Sequence, residues 1–531
     1  MKIIRRILTT IVWTILGLYI FLLIAVNLPI VQEYIGDKTE QLLSKKLGTS
    51  VTIGRIGIGA LFNELTLDEV QIEDQKGKEM LWFGRLSAKV ELLPLLNGKI
   101  VITKAQVFSS HAKLYQKTEK DPLNIQFMID SLASKDTTST TQLDLRINSL
   151  IVRHTSVSYD CLNAPRTPMQ FNPKHLWLKN ITAHITLKAL REDTINLNVK
   201  RLAFKEQSGL KLDRLSFRLK GGKTGSTLRK FILRMPGTDV KLGLLQASYH
   251  IKNDSLDWSS LKYSGSIEPS TITLSDVACF LPSLKKFNST LTVKSAFKGK
   301  GEQVTIEELA VSSTTGDIGL NMSAWVNGFK QTLPKWQANI DQLDLSAKTI
   351  NFISENLKGK KAEIPPIANR MGRIMLKGTT TGEGLQNITT HNLLNTDAGN
   401  IIVNLTMNEQ RKLSGDINTA GMDLKRLLDN PNFGQVATRI ALSGQLSKNG
   451  DITMTADGII NEFEYNRYQY KNIKVNGLYS KDDIHGTASI DDPNIGVEVE
   501  GIVQKQGRQH NVEITALVDH LAPKLINLTD K

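Results

Sequence analysis

The sequence predicts a mainly β protein: an amino-terminal transmembrane helix followed by an elongated, repetitive β-sheet trough, U-shaped and apolar inside, with a few short helices. Three observations predict this fold. Residues 7–28 form one uncharged apolar run. From residue 50 onward, apolar and polar residues alternate with a period of two, which is typical of strands with one apolar face and one wet face. Few stretches between the strands could form helices long enough to cover that apolar face.

The apolar run is the predicted membrane anchor. As a helix rising about 1.5 Å per residue it would be about 33 Å long, enough to cross a hydrocarbon core of about 30 Å. Basic residues precede it, and positive flanks remain on the cytoplasmic side, so the bulk of the chain is expected on the far side of the membrane. The topology-setting residues are Lys2, Arg5 and Arg6, and the anchor residues are Ile7, Trp13, Leu16, Phe21 and Leu28.

A cleaved signal peptide is the alternative interpretation of the same run. Signal peptides have a shorter apolar core and a small-x-small cleavage site. The residues from Ala25 to Pro29 match such a site poorly, which favours a retained anchor. Either interpretation sends most of the chain out of the cytoplasm.

The length of the chain predicts more than one domain or a repeating body. Its 531 residues are too many for one compact core, so several domains or a repeating elongated body are expected. We divide it into a cytoplasmic stub with the anchor (1–30), an amino-terminal domain (31–134), a polar loop (135–145) and a repetitive β-trough region (146–531).

Charge and cysteine content restrict the function classes. The net charge is +14, but no basic run is interleaved with aromatic residues, so nucleic acid is not an expected partner. A solvated basic surface that tolerates anionic lipid headgroups is the better interpretation. Only Cys161 and Cys279 are present, which excludes a disulfide-stapled scaffold and leaves open one disulfide or two buried thiols.

A short amphipathic helix is predicted after the anchor. Apolar residues between Val31 and Leu47 fall broadly on one helical face, and Gly48 follows where a helix would end. This helix could lie at the membrane surface, but packing against the first strands is the favoured interpretation.

The alternating strands carry the functional argument. Their apolar face must meet another sheet, fold onto itself or hold an apolar ligand. A closed sandwich and a long curved sheet with an apolar inner face are therefore the two alternatives. The residues predicted to line such a trough are Ile185, Leu187, Ile318, Leu320, Met322, Ile401, Val403, Leu405, Ile452, Met454, Val497 and Val499.

Three short helical stretches interrupt the strands and indicate an internal repeat. They begin near residues 276, 347 and 425, each after a strand with a similar ending. After the first two, glycines recur at a constant offset. Gly299, Gly301 and Gly316 in one copy match, in order, Gly382, Gly384 and Gly399 in the next. Repeats of this length favour an elongated array over a globule.

No catalytic constellation is recognisable in the sequence. H-E-x-x-H, G-x-S-x-G and C-x-x-C motifs are absent. Gly222-Lys223-Thr224 resembles the end of a phosphate-binding loop, but Phe217 stands where that motif needs glycine. The acidic pair Asp491-Asp492 is interpreted as turn residues. We therefore predict a protein that is not an enzyme and has no catalytic residue, metal site or cofactor.

The amino-terminal region resembles the AsmA/TamB family of Gram-negative envelope proteins, and its TamB-like members more than the others. The resemblance rests on the order and spacing of diffuse motifs between Leu47 and Val107. The rest of the chain shares the general pattern of alternating strands rather than specific motifs. The motifs are Leu47-Gly48, Val51-Thr52-Ile53-Gly54, the segment from Leu65 to Ile72 and the segment from Leu95 to Ile100. By this resemblance, residues 31–134 are an AsmA-like domain.

The resemblance implies a location and a function. Members are anchored in the inner membrane and extend across the periplasm, and their stacked strands form an apolar trough thought to carry phospholipid toward the outer membrane. TamB-like proteins dock on an outer-membrane barrel of the Omp85 type and end in a characteristic carboxy-terminal domain. We see no sign of that domain, so we expect a shorter relative or the front part of a longer protein.

Three hypotheses remain. The first and favoured one is a lipid conduit in which acyl chains lie on the inner face and headgroups stay in water at an open edge. The second is an envelope scaffold that assists outer-membrane protein assembly through strand pairing with clients. The third is an extracytoplasmic enzyme on a β-solenoid, which would need carboxylates or aromatic residues clustered on one ledge, and aromatic residues are sparse.

Overall fold

The protein is described by a computed structural model. The described residues are 2–59, 63–91, 99–133, 142–191, 194–252, 255–286, 289–316, 318–346, 349, 369–447, 451–480, 483–506 and 509–529. They form two compact units. Unit 1 comprises Met1–Gln246 and Thr271–Asn288, and unit 2 comprises Ala247–Ser270 and Ser289–Lys531.

Two consecutive helices begin the chain. α1 spans Lys2–Val26, and its part Ile3–Val26 is long and apolar enough to cross a membrane. The boundary differs from the prediction, because Leu28 lies outside α1 in the turn that precedes the next helix. α2 spans Pro29–Leu47 and ends at Gly48 in the left-handed conformation, φ 69°, which glycine adopts without strain.

α2 packs on the first strands, as the favoured interpretation predicted. Leu47 is buried in a cluster with Val51, Val70 and Met80, and Leu43 packs against the same cluster. Packing of this apolar face against strands accounts for the helix, since a short helix is marginally stable alone.

The fold class is confirmed: 26 strands form one long sheet. The strands of the first half are β1 Val51–Ile58, β2 Glu64–Glu73, β3 Glu79–Val90, β4 Lys99–Gln116, β5 Gln142–Cys161, β6 His175–Arg191, β7 Thr194–Glu206, β8 Lys211–Gly222, β9 Gly225–Arg234, β10 Asp239–Leu242, β11 Leu245–Lys252 and β12 Ser255–Thr273.

The strands of the second half all lie in unit 2, where consecutive strands pair antiparallel. They are β13 Thr290–Lys300, β14 Gln303–Ser313, β15 Ile318–Asn327, β16 Lys335–Leu345, β17 Ile374–Glu383, β18 Asn387–Thr396, β19 Gly399–Met407, β20 Lys412–Asp423, β21 Phe433–Leu446, β22 Ile452–Tyr465, β23 Tyr468–Tyr479, β24 Asp483–Asp492, β25 Ile495–Gln506 and β26 Gln509–Leu521.

β4 and β5 of unit 1 pair in parallel, an arrangement that the sequence analysis did not predict. Two parallel strands start at the same edge of a sheet, so the chain must cross back from the end of β4 to the start of β5. The helix α3, Gln126–Ala133, lies in this crossover. β5 begins at Gln142, so residues 142–145 of the predicted polar loop belong to a strand. Residues 134–141 of that loop lie outside the described residues.

Short helices follow strands where the repeat predicted them. β12 leads into two 3₁₀ helices, Leu274–Val277 and Pro282–Lys286, and β20 leads into α4, Leu424–Leu428. The Asp423 side chain accepts a hydrogen bond from the backbone N–H of Arg426 and so caps α4. Most of the second predicted stretch, after β16, lies outside the described residues.

The matched glycines occupy equivalent places in the strand order. Gly301 (φ 55°) and Gly384 (φ 60°) directly follow β13 and β17. Gly316 (φ 72°) lies in the turn before β15, and Gly399 (φ 134°) is the first residue of β19. Positive φ is accessible to glycine at little cost. The sequence repeat is therefore a repeat of four strands with the same turn chemistry.

Candidate functional site

Strand register places the candidate residues of β15 on one face. In the ladder between β15 and β16, Leu320 lies opposite Leu343, Met322 opposite Ile340, and Ile318 at the end of the same alternating row. Directly opposed residues of an antiparallel pair point to the same side of the sheet. This side is called the inner face of unit 2.

The candidate residues of β19 lie on the same face. Val403 is opposite Asn392 in β18 on one side and Ile417 in β20 on the other. Ile401 and Leu405, two positions away in either direction, point to the same side because side chains alternate along a strand.

The remaining candidates of unit 2 join them. Following the ladders from β20 to β25 places Met454 and Ile452 of β22, and Val497 and Val499 of β25, on the inner face. Ile452 stands at the end of its strand and is 38% exposed.

One row of directly opposed residues crosses β13 to β26 and shows that the inner face is continuous over these strands. Across fourteen strands at about 4.8 Å each, this middle row is about 60 Å long. Its members are Ser295, Leu309, Met322, Ile340, Gly378, Asn392, Val403, Ile417, Ile440, Gly458, Val475, Ala488, Val499 and Ala516.

The inner face is shielded but not covered. Among the described residues of unit 2, no second sheet packs over the middle row, and Met322, Val403 and Ile440 are only partly buried. A closed sandwich would bury such side chains between its two sheets. The inner face is therefore open to the surroundings.

The two faces of the sheet differ in exposure. Ile402 and Ile459 point to the outer face and are 44% and 47% exposed, whereas Ile401 and Ile460 point to the inner face and are partly buried. These two inward side chains pack against a small cluster that contains Met422. The inner face is therefore the more shielded side of the sheet at these positions.

Unit 1 carries an apolar face of its own. Ile185 lies opposite Leu150 in β5 and Val199 in β7, and Leu187 lies opposite Leu197. Both candidate residues are partly buried, so they lie on the same kind of surface as the candidates in unit 2.

One edge of the unit 2 trough is closed by small hydrophobic clusters and is called the packed rim. After β20, Leu427 of α4 is 4% exposed and packs with Met422 and Val436. After β26, the chain turns back and buries Ile526 completely against Tyr470. These clusters hold the strand ends together, and the second one reaches the middle row at Val475.

Two tyrosines of the packed rim have raised pKa values. Burial raises the pKa of Tyr470. Burial also raises the pKa of Tyr468, together with the hydrogen bond that its hydroxyl donates to the Asp492 carboxylate. The packed rim is therefore lined by apolar groups and protonated phenols.

The opposite edge consists of hairpin turns and is called the open rim. It contains the turns 301–302, 328–334, 384–386 and 408–411, and no described helix follows them. Their charged side chains include Glu302, Lys330, Glu409 and Arg411. The trough thus has a mostly apolar middle, a closed edge and a polar edge that faces water.

The structure also shows the surroundings of the residues considered above for phosphate binding, for metal binding and for a disulfide. Gly222 pairs with Gly225 across the hairpin between β8 and β9, so the phosphate-loop-like triplet lies in a tight turn. Asp492 accepts hydrogen bonds from Tyr468 and from the backbone of Asn494. In the part of the chain that the structure describes, no three His, Cys, Asp or Glu side chains are grouped to hold a metal ion. Cys161 and Cys279 are separate buried thiols.

Four of the five predicted anchor residues lie on α1, and Leu28 lies outside it. Ile7, Trp13, Leu16 and Phe21 are on α1 and between 40% and 68% exposed. Large apolar side chains exposed along a whole helix are typical of a helix in contact with lipid.

Comparison of the chain with protein-family models, with curated proteins and with solved structures finds no match. The description of the trough is therefore based only on the sequence and structure of this chain. Sequence reasoning missed the packed rim and one group of polar residues on the inner face, Thr380, Thr390 and Asn392. The runs Thr379-Thr380-Thr381 and Thr389-Thr390 were the available signal for this group.

Proposed function

We propose that this protein is a non-enzymatic carrier of phospholipid, held in a membrane by α1, whose apolar trough accommodates acyl chains. The observation that carries the proposal is the continuous middle row of unit 2, which is mostly apolar and has no second sheet over it in the described residues. A soluble monomer rarely leaves an extended apolar surface without a ligand or partner.

The energetics favour binding without a fixed position. Each CH₂ group removed from water contributes about 0.8 kcal/mol. Ten of the fourteen residues of the middle row are Ile, Val, Leu, Met or Ala, so most successive positions along the row are similar in energy. An acyl chain could then shift from one strand to the next against small barriers, while its headgroup stays in water at the open rim.

The proposed location follows from α1 and from the resemblance to the AsmA/TamB family. We propose a single-pass inner-membrane protein with a cytoplasmic amino terminus and its bulk in the periplasm, moving phospholipid toward the outer membrane and so supporting outer-membrane biogenesis. Contact with an Omp85-type barrel belongs to the same proposal.

Photo-crosslinking in cells tests the function directly. A photoreactive residue is placed at Leu320, Val403 or Met454, with Asn321 and Ile402 as outward controls, and adducts are identified by mass spectrometry. Phospholipid adducts at the inward positions and none at the controls are expected. Adducts confined to the protein would refute the open trough and favour a closed core.

A scaffold for outer-membrane protein assembly is the second candidate. Among the described strands, β26 forms a residue-by-residue ladder with β25 and with no later strand. Its exposed side chains include Ile514 (68%) and Leu517 (69%). A free strand edge can pair with a strand of another protein. Crosslinks from Leu517 to an outer-membrane barrel, with no lipid on the inner face, would favour this function.

A further inference from the structure

Three polar side chains interrupt the middle of the apolar lining. Thr380 of β17 lies directly opposite Thr390 of β18, and Asn392 lies opposite Gly378 in the next pair toward the packed rim. Register with the neighbouring strands places Thr380 beside Ala338. All three polar side chains therefore point into the trough, and together they are called the polar step.

The hydrogen bonds of the polar step leave one donor unused. The Asn392 amide donates to the hydroxyls of both Thr380 (3.4 Å) and Thr390, and the two hydroxyl oxygens lie 3.0 Å apart. An amide NH₂ has two hydrogens and each hydroxyl has one. Because only one hydroxyl can donate to the other, the remaining hydroxyl has no acceptor among the described residues.

The accessible donor belongs to the orientation given for the amide. In this orientation the Asn392 side-chain oxygen is buried and has no partner, and the spare hydrogen is on a threonine hydroxyl. If the oxygen and nitrogen of this amide were exchanged, the two hydroxyls would donate to the oxygen, and the spare donor would be the buried NH₂ group, out of reach of a ligand in the trough.

Small residues leave room for a ligand beside this donor. Ala338 and Ala324 continue the row of Thr380 across β16 and β15. Gly378 adds no such room, because a Cβ atom there would lie 2.1 Å from the backbone oxygen of His391. Thr380 and Thr390 are themselves only partly buried, so their hydroxyls can be reached from the trough.

The position of the polar step relative to the rims suits one part of a lipid. Thr380 is three residues from Glu383 at the open rim, about 10 Å along the strand. In the opposite direction the inner face is apolar, with Leu376 and Leu394 opposite each other. A group at this depth lies between a polar edge and an apolar region.

We propose that the polar step binds the ester carbonyl of an acyl lipid. The inference rests on the proposed function, because it requires lipid in the trough. The free donor of the polar step bonds to the carbonyl oxygen, the acyl chains extend over the apolar rows, and the headgroup reaches the open rim. A lipid with ether linkages has no carbonyl and cannot form this bond.

Competition between ester- and ether-linked phospholipid tests the proposal. The purified full-length chain is incubated with equal amounts of a diacyl phosphatidylethanolamine and its dialkyl ether analogue, and the bound lipids are measured by native mass spectrometry. The wild-type chain is expected to prefer the ester roughly two- to tenfold, the range for one hydrogen bond. A T380V/T390V variant should bind both lipids without preference.

Two control variants separate this role from a structural one. T389V/T406V removes the cross-strand threonine pair of the outer face, whose oxygens are 3.5 Å apart, and should keep the preference. T380S/T390S retains both hydroxyls and should also keep it. Binding without an ester preference in the wild-type chain, or an unchanged preference in T380V/T390V, would overturn this inference alone. Failure to bind either lipid would overturn the proposed function as well.

Discussion

A negative charge on the inner face should remove lipid without unfolding unit 2. The perturbation is Val403→Asp, and the matched control is Ile402→Asp. The two residues are neighbours in β19 and point to opposite faces. Val403 is partly buried, and Ile402 is 44% exposed. Both variants place aspartate, a poor strand former, in the same strand. Any difference between them in lipid binding or stability therefore comes from the face on which the aspartate lies.

The expected effect on lipid is large. Covering Val403 with an acyl chain contributes up to about 1.5–3 kcal/mol, and covering a carboxylate instead costs several kcal/mol. A net loss of about 3 kcal/mol corresponds to a roughly hundredfold decrease in occupancy at that position. Ile402→Asp should leave lipid binding unchanged because its side chain faces water.

The expected effect on folding is small. Since no described layer covers Val403, the carboxylate stays hydrated in the lipid-free protein, and we expect less than about 1.5 kcal/mol of destabilisation for either variant. In a closed core, an unpaired charge would cost about 3–5 kcal/mol.

The assays are urea denaturation and the amount of lipid that co-purifies with each variant. If Val403→Asp unfolds unit 2 while Ile402→Asp does not, the trough is closed and the reasoning is wrong. Full retention of lipid by folded Val403→Asp would equally refute it.

Two further predictions concern stability. Tyr115 donates a 2.6 Å hydrogen bond to Asp74, which is 3% exposed, so Tyr115→Phe should lower the free energy of unfolding of unit 1 by about 1.5–3 kcal/mol. Burial raises the pKa of Asp74, but hydrogen bonds from Tyr115 and backbone amides outweigh it and lower the pKa. This stabilisation is therefore present above the ordinary carboxyl pKa and lost on acidification, and denaturation curves at neutral and acidic pH should show the Tyr115→Phe deficit shrinking in acid. Gly415→Ala should destabilise unit 2 by about 3 kcal/mol, because the Cβ atom of the new alanine would lie 1.9 Å from the backbone oxygen of Asn404. Gly477→Ala, whose Cβ meets nothing closer than 3.5 Å, is the control, and equal denaturation midpoints for the two variants would contradict the argument.

Much of the fold could be predicted from local sequence. The uncharged run encodes α1, and Gly48 marks the end of α2, because capping chemistry acts within a few residues. Alternation of period two shows which side chains of one strand share a face, which is why Leu320 and Met322 were correctly grouped. The glycine match identified the repeat, since Gly301 and Gly384 serve the same turn.

Only the tertiary structure decided how these faces combine. Register between strands depends on turns and on bulges such as that near Met322, and a shift by one residue exchanges the two faces of a strand. The parallel pairing of β4 and β5, the packed rim around Leu427 and Ile526, and the convergence of Thr380, Thr390 and Asn392 all join residues distant in sequence. Period-two patterning is the same for an open trough and a closed sandwich, because it records only which side avoids water and not what covers that side.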